Sequence, residues 1–237
     1  MKTTRNSVMK LFKDAKAIAI DGPAGSGKST VSRLVAGRLG YVYIDTGAMY
    51  RALTLNVMRK SIPFSDRKTI IRMSSDMDIR LLPPQKGKTS IKVMLNGEDV
   101  TDEIRTMEVT VNVKYVCSIP EVRENLVALQ RKMAQEADGS VMEGRDIGTV
   151  VLPNAKYKFY VDASFDERVE RRLAELHAKG SPVSREEVVD DLKQRDHTDK
   201  TRRVGPLKKA GDAVFIDTTD LTIEQVVSEI VRHVRKK

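Results

Sequence analysis

The densest chemistry in the chain lies in nine residues, GPAGSGKST, running from Gly22 to Thr30 directly after the apolar run KAIAID. They match G-x-x-x-x-G-K-[ST] between a strand-like and a helix-like segment, where a phosphate-binding loop must sit. Gly22, Gly25 and Gly27, with Pro23, Ala24 and Ser26 between them, let backbone N–H groups converge on phosphate oxygens without side-chain clashes. The helix N-terminus that follows adds further donors. Lys28 would reach the β- and γ-phosphates of a bound nucleotide, and Ser29, with Thr30 behind it, would offer a hydroxyl to Mg²⁺. A dinucleotide fingerprint is excluded, because its third glycine would fall on Thr30.

Binding a nucleotide leaves the reaction open between a small-acceptor kinase, a switch GTPase and a motor-type ATPase. The strings D-x-x-G and N-K-x-D expected of a GTPase occur nowhere in the sequence. A motor ATPase would end an apolar strand in an acidic pair, whereas Asp162, after KYKFYV, is followed by Ala163. Arginines point toward a kinase. DTGAMYR, EGRDIGTV and RDHTDKTRR place them on loops after strands and helices. In an open parallel sheet the ligand crevice lies beyond the carboxyl ends of the strands, so Asp45, Thr46, Arg51, Arg145 and Asp146 could face one site. Converging guanidinium forks suit an acceptor that itself carries a phosphate.

The elements needed to hold these loops alternate along the chain. KAIAID, YVYID, SVME, KYKFYVD and AVFID read as short strands. Between them, one helix carries Val31, Leu34, Val35 and Leu39 and stops at Gly40. A second stripes Met49, Leu53 and Val57, and a third opens at Pro120 and closes at Gly139. The last helix starts with Thr222 and Gln225 as a capping box and stripes Ile223, Val226, Val227, Ile230 and Val234. This alternation predicts an α/β fold with a mostly parallel sheet, built from these five strands and flanked by helices. Residues 76–107 break the rhythm: Ile91, Val93 and Leu95 alternate in twos before Asn96-Gly97, which predicts a small β-rich insert with a hairpin. A polar stretch at 180–203, boxed by Ser184 and Glu187, is expected to be helical and to cover a ligand. The core then takes residues 17–75 and 108–237.

The 237 residues carry 42 Lys+Arg against 33 Asp+Glu, a net charge of +9 that admits acidic partners without choosing one. Basic and acidic residues are interleaved, and with no Trp and few aromatics no stable nucleic-acid partner is expected. Cys117, the single cysteine, excludes an internal disulfide framework and reads as a small core residue. No apolar run approaches the roughly 18 residues of a spanning helix, so no membrane partner is expected. Residues 1–16 read as a loose basic leader without a secretory apolar stretch, which makes the cytoplasm the expected compartment.

Taken together and in this order, GPAGSGKST, DTGAMYR, NGEDVTDEIRT, PEVRE, EGRDIGTVV and QRDHTDKTR resemble the bacterial cytidylate kinases, from about Ala17 to Val234. The resemblance implies a P-loop kinase core of five parallel strands with a monophosphate-binding insert and a helical lid; a monomer is expected. Such an enzyme passes the γ-phosphate of ATP to CMP or dCMP with Mg²⁺. It implies that Arg51, Arg145 and Arg202 hold the acceptor phosphate, that Arg195 and Asp199 approach the sugar, and that Asp45, Thr46 and Tyr50 line the monophosphate side. Arg123 and Asp146 become the cytosine readers; a carboxylate accepts from the exocyclic amine of cytosine and opposes a uracil carbonyl acceptor to acceptor. Lys114 departs from the pattern, standing where the family usually has a serine beside the base. Phosphoryl transfer needs no obligatory general base, so His177, His197 and His233 are expected to play no chemical part. The alternatives that remain are a kinase for a different nucleoside monophosphate and a nucleotide-gated module that binds RNA or a protein partner.

Overall fold

The computed structural model describes residues 16–83, 91–178 and 180–236. Its strands divide between two sheets. Strands β1 (Ala17–Asp21), β2 (Val42–Asp45), β6 (Ser140–Gly144), β7 (Tyr157–Asp162) and β8 (Val214–Asp217) form a parallel sheet in the order β2-β6-β1-β7-β8. Strands β3 (Ile79–Leu82), β4 (Lys92–Leu95) and β5 (Glu98–Asp99) form a small antiparallel sheet.

Central strand β1 shows why the large sheet needs helices on both faces. Ile18 and Ile20 pack on one side with Val31 and Val35 of α1 (Lys28–Leu39) and Val227 and Ile230 of α8 (Ile223–Arg235). Ala17 and Ala19 face the other side, where short side chains admit Val127 and Ala134 of α5 (Pro120–Glu136). Burial on both faces explains the apolar run Ala17–Ile20 of β1. The expected stop of α1 at Gly40 is observed, with the glycine left-handed at φ 68°. The expected capping box of Thr222 and Gln225 is also present. Ile223 is a correction: it is 52% exposed, because it is the first residue of α8 and precedes the turn where the apolar face reaches the sheet. Helix α5 likewise ends at Glu136, before the expected Gly139; Ala137 is already extended, and Gly139 belongs to the turn into β6.

The small sheet matches the alternation seen in sequence. Asn96 and Gly97 join β4 to β5 with φ of 50° and 89°, as a two-residue hairpin turn requires. Ile91, Val93 and Leu95 share one apolar cluster with α2 (Thr46–Arg59), α3 (Arg67–Asp76), α4 (Met107–Cys117) and α5. Helices α6 (Phe165–Ala178) and α7 (Arg185–Thr201) pack through Val169, Leu176, Val188 and Leu192, with Ala24 of the glycine-rich loop in the same cluster. The Ser184–Glu187 capping box opens α7. Apart from Lys16, the expected leader lies outside the described residues. Among the described residues no helix is long and apolar enough to cross a membrane.

Candidate active site

Parallel strands deliver their carboxyl ends to one rim of the sheet, and the segments that follow β1, β2 and β6 carry the chemistry singled out in the sequence. From β1 the chain enters the glycine-rich loop and then α1, with Gly27 as the N-cap at φ 80°. Lys28 is the first residue of α1, and its Nζ donates to the Pro23 carbonyl at 3.0 Å. Burial pushes its pKa down to about 7, assisted by the positive charges of Arg145 and Arg195 and opposed by Glu143 and Asp199. The loop ammonium therefore feels the charges of arginines that lie more than a hundred residues further along the chain.

Strand β2 ends in Asp45, whose side chain caps α2 by accepting from the Ala48 N–H at 2.8 Å and pairs with Arg51 at 3.1 Å. Thr46 donates to the Glu143 carbonyl at 2.7 Å, tying the start of α2 to the end of β6. Glu143 is the main residue that sequence reasoning left unassigned. It is buried, accepts from Ser29 Oγ at 2.9 Å and from the Tyr43 hydroxyl at 2.5 Å, and so touches both the loop and β2. Burial and the neighbouring Asp45 raise its pKa, against the pull of Lys28. Its signal in the sequence was its place in EGRD, at the end of a strand.

After β6, Arg145 Nε donates to Asp199 of α7 at 2.6 Å. Burial works to raise the Asp199 pKa, but Arg145 and Arg202 hold it below the usual carboxylate range. Arg202 lies 3.5 Å from both Asp199 and Asp146, and donates to the Gly205 carbonyl at 2.5 Å. Asp146 also accepts from Arg123 at 2.5 Å, and the Arg123 guanidinium lies over the Tyr50 ring, 5.4 Å from its centroid. Gly205, another residue missed in sequence, closes this group. At φ +59° it approaches so near that a Cβ would fall 2.1 Å from the Asp146 carboxylate.

The structure thus joins Lys28, Arg145, Arg195 and Asp199 electrostatically, and Asp199, Arg202, Asp146, Arg123 and Tyr50 by successive contacts. Arg51, Arg123 and Arg195 stand on helices α2, α5 and α7; Arg123 falls in the helix expected to open at Pro120, whereas DTGAMYR and RDHTDKTRR suggest loops in the sequence. Arg195 reaches back along α7 to Asp191 at 3.5 Å. Lys114 lies outside these contacts, its ammonium 5.3 Å from the Tyr115 ring centroid. His177 faces the Val183 carbonyl, His233 packs edge-on to Phe159, and His197 is exposed on α7.

Asp21, unremarked in sequence, braces the site from below. Its two carboxylate oxygens accept from the N–H groups of Ile147 and Gly148, each at 2.8 Å, fixing the turn that carries Arg145 and Asp146 to the strand that feeds the loop. Burial pushes its pKa up to about 6 against these two donors.

The family model of cytidylate kinase matches residues 18–236. The cytidylate kinase of Caldanaerobacter subterraneus subsp. tengcongensis is 50% identical over 219 residues, covering 92% of this chain and 94% of its own. That of Desulforamulus reducens is 51% identical, over 93% of this chain and 97% of its own. That of Geobacillus thermodenitrificans is 49% identical, over 93% and 96% respectively.

Proposed function

The chain belongs to the cytidylate kinase family and transfers the γ-phosphate of ATP to CMP; we propose that the two linked clusters described above carry that transfer and extend it to dCMP. The observation that carries this reading is that buried Lys28 feels the charges of Arg145, Arg195 and Asp199, with Arg145 paired to Asp199 at 2.6 Å. Two phosphate esters repel one another, and cations must surround both before they can meet in line.

On the donor side, the backbone amides from Gly22 to Thr30 hold the triphosphate, and Lys28 exchanges the Pro23 carbonyl for phosphate oxygens. The neighbouring hydroxyl of Ser29 and carboxylate of Glu143 are hard oxygen donors suited to Mg²⁺, and would hold it directly or through water. When bound, the ion neutralises charge that develops between the β- and γ-phosphates.

On the acceptor side, Arg51, Arg145 and Arg202 hold the CMP phosphate, and Arg195 and Asp199 orient the ribose. Asp45, Thr46 and Tyr50 line the pocket floor. Arg123 and Asp146 read cytosine; Arg123 sits over Tyr50, so a base edge meets a fixed pair of one donor and one acceptor. The CMP phosphate, second pKa near ~6, is mostly dianionic at neutral pH and attacks the γ-phosphorus directly. The new P–O bond forms as the bond to the β-phosphate oxygen breaks, and ADP leaves. Residues 76–107 act as the monophosphate-binding insert and 180–203 as the lid, whose closure excludes water that would otherwise hydrolyse ATP.

A coupled ADP-release assay with CMP, dCMP, UMP and AMP tests this reading. Turnover is expected with CMP and dCMP, and UMP and AMP are expected to be poor acceptors. Equal rates with all four would overturn the assignment of Arg123 and Asp146.

A further inference from the structure

Two parts of the site that must act together, the donor loop and the acceptor-side helix α7, are bridged by a side chain with no role in the account above. Arg168, in the first turn of α6, is buried and spends its guanidinium on both. Its Nη1 donates to the carbonyl of Ala24, inside the glycine-rich loop, at 3.0 Å and to Asp196 Oδ1 at 3.1 Å; its Nη2 donates to Asp196 Oδ2 at 2.7 Å. The fork on Asp196 is bidentate, a geometry that fixes direction as well as distance. Asp196 lies on α7 between Arg195 and the turn that carries Asp199. On the far side, Arg168 Nε lies 3.7 Å from Asp162 at the end of β7.

Packing reinforces the same link. Ala24 is buried in the apolar cluster that joins α6 to α7. Gly25, at φ +76°, presses so closely on α6 that a Cβ there would come within 2.9 Å of the Arg168 carbonyl. A shift of the loop backbone at residues 24–25 therefore cannot leave Arg168 and Asp196 in place, because the interior has no slack to absorb it.

We propose that Arg168 is a positioning residue that couples the two substrate sites: it transmits the conformation of the occupied phosphate loop to α7, so that donor binding raises acceptor affinity. The inference rests on the assignment of the loop to ATP and of α7 to CMP. Coupling of this kind is reciprocal, so bound acceptor must tighten the donor site by the same factor.

The test is calorimetric titration of the full chain with CMP, alone and saturated with the β,γ-imido analogue of ATP plus Mg²⁺. In the parent protein the analogue is expected to tighten CMP by about fivefold or more, within the usual range of coupling between sites. In Arg168→Met this factor is expected to fall below about twofold, while CMP affinity in the absence of the analogue changes little. Asp196→Asn, which keeps the shape of the partner, is expected to lose coupling in the same way, and the double variant is expected to lose no more than either single one. A purely structural role would shift melting temperature without selectively erasing the coupling. If Arg168→Met does not fold, Asp196→Asn carries the test alone. Parental coupling in a folded variant, or none in the parent, overturns the inference and leaves the kinase reading intact. A parent that binds neither nucleotide overturns both.

Discussion

The proposed donor loop and the proposed acceptor cluster would solve the same problem, holding a phosphate, by opposite means. The loop is nine consecutive residues whose donors are mainly backbone amides, fixed by local conformation and by the helix that follows. The acceptor cluster draws side chains from α2, α5, the end of β6, α7 and the segment after it, and pairs its arginines with carboxylates: Arg51 with Asp45, Arg145 with Asp199, Arg123 and Arg202 with Asp146. A backbone site is preorganised by its own chain. A side-chain site must be held by its neighbours, and its charges are neutralised until a ligand replaces the partner.

The contrast is broken most directly at Lys28, the one charged side chain of the loop. Lys28→Ala is expected to lower turnover by about a hundredfold or more, the scale of losing one preorganised charge contact. Steady-state kinetics at saturating CMP check it, and near-normal turnover would remove the donor assignment. Arg145→Ala is expected to lower kcat/KM for CMP by about tenfold to a hundredfold, with ATP binding nearly unchanged, as suits the loss of a charged hydrogen bond on one side only. Equal damage to both substrates would erase the distinction between the two regions. Asp146→Asn replaces an acceptor-only group by an amide, and is expected to shrink the preference for CMP over UMP by about tenfold in side-by-side assays. The smallest effect concerns protons. With its pKa pushed down to about 7 by burial, Lys28 is largely neutral at pH 8, and phosphate oxygens restore the ammonium. ATP binding at pH 8 is expected to take up close to about one proton, visible as a dependence of calorimetric enthalpy on buffer and absent in Lys28→Met. The same depression means that ionised Lys28 costs the fold stability below pH 7, a cost that fades as the pH rises from 7 toward the ordinary lysine value.

This difference between regions also decides what sequence reveals. The loop, β1 and α1 are contiguous and legible, because strand, glycines and helix stops obey local rules. The Asn96-Gly97 hairpin and the capping boxes at Ser184 and Thr222 are legible for the same reason. Glu143 and Asp21 escape because their partners, Ser29 and the amides of Ile147 and Gly148, lie more than a hundred residues away. Helices α3, α4 and α6 escape differently. In α3 only Ile70, Met73 and Ser74 are buried over ten residues, while α4 leaves Met107 and Val111 exposed and so blurs its stripe. The buried face of α6 includes Arg168 itself, an arginine serving as an interior residue, which no apolar pattern announces.

Asp199 accepts from Arg145 and lies beside Arg202, so if these arginines take the CMP phosphate as proposed, they already hold a tethered rival for any incoming anion. Free sulfate or orthophosphate must displace a carboxylate held at high effective concentration and offers it nothing in return. A nucleotide brings a ribose hydroxyl that the displaced carboxylate can accept, and with it a way to evict the rival that simple salts lack. On that proposed assignment, selectivity against simple inorganic anions is set by the Arg145–Asp199 pair, before any base is read.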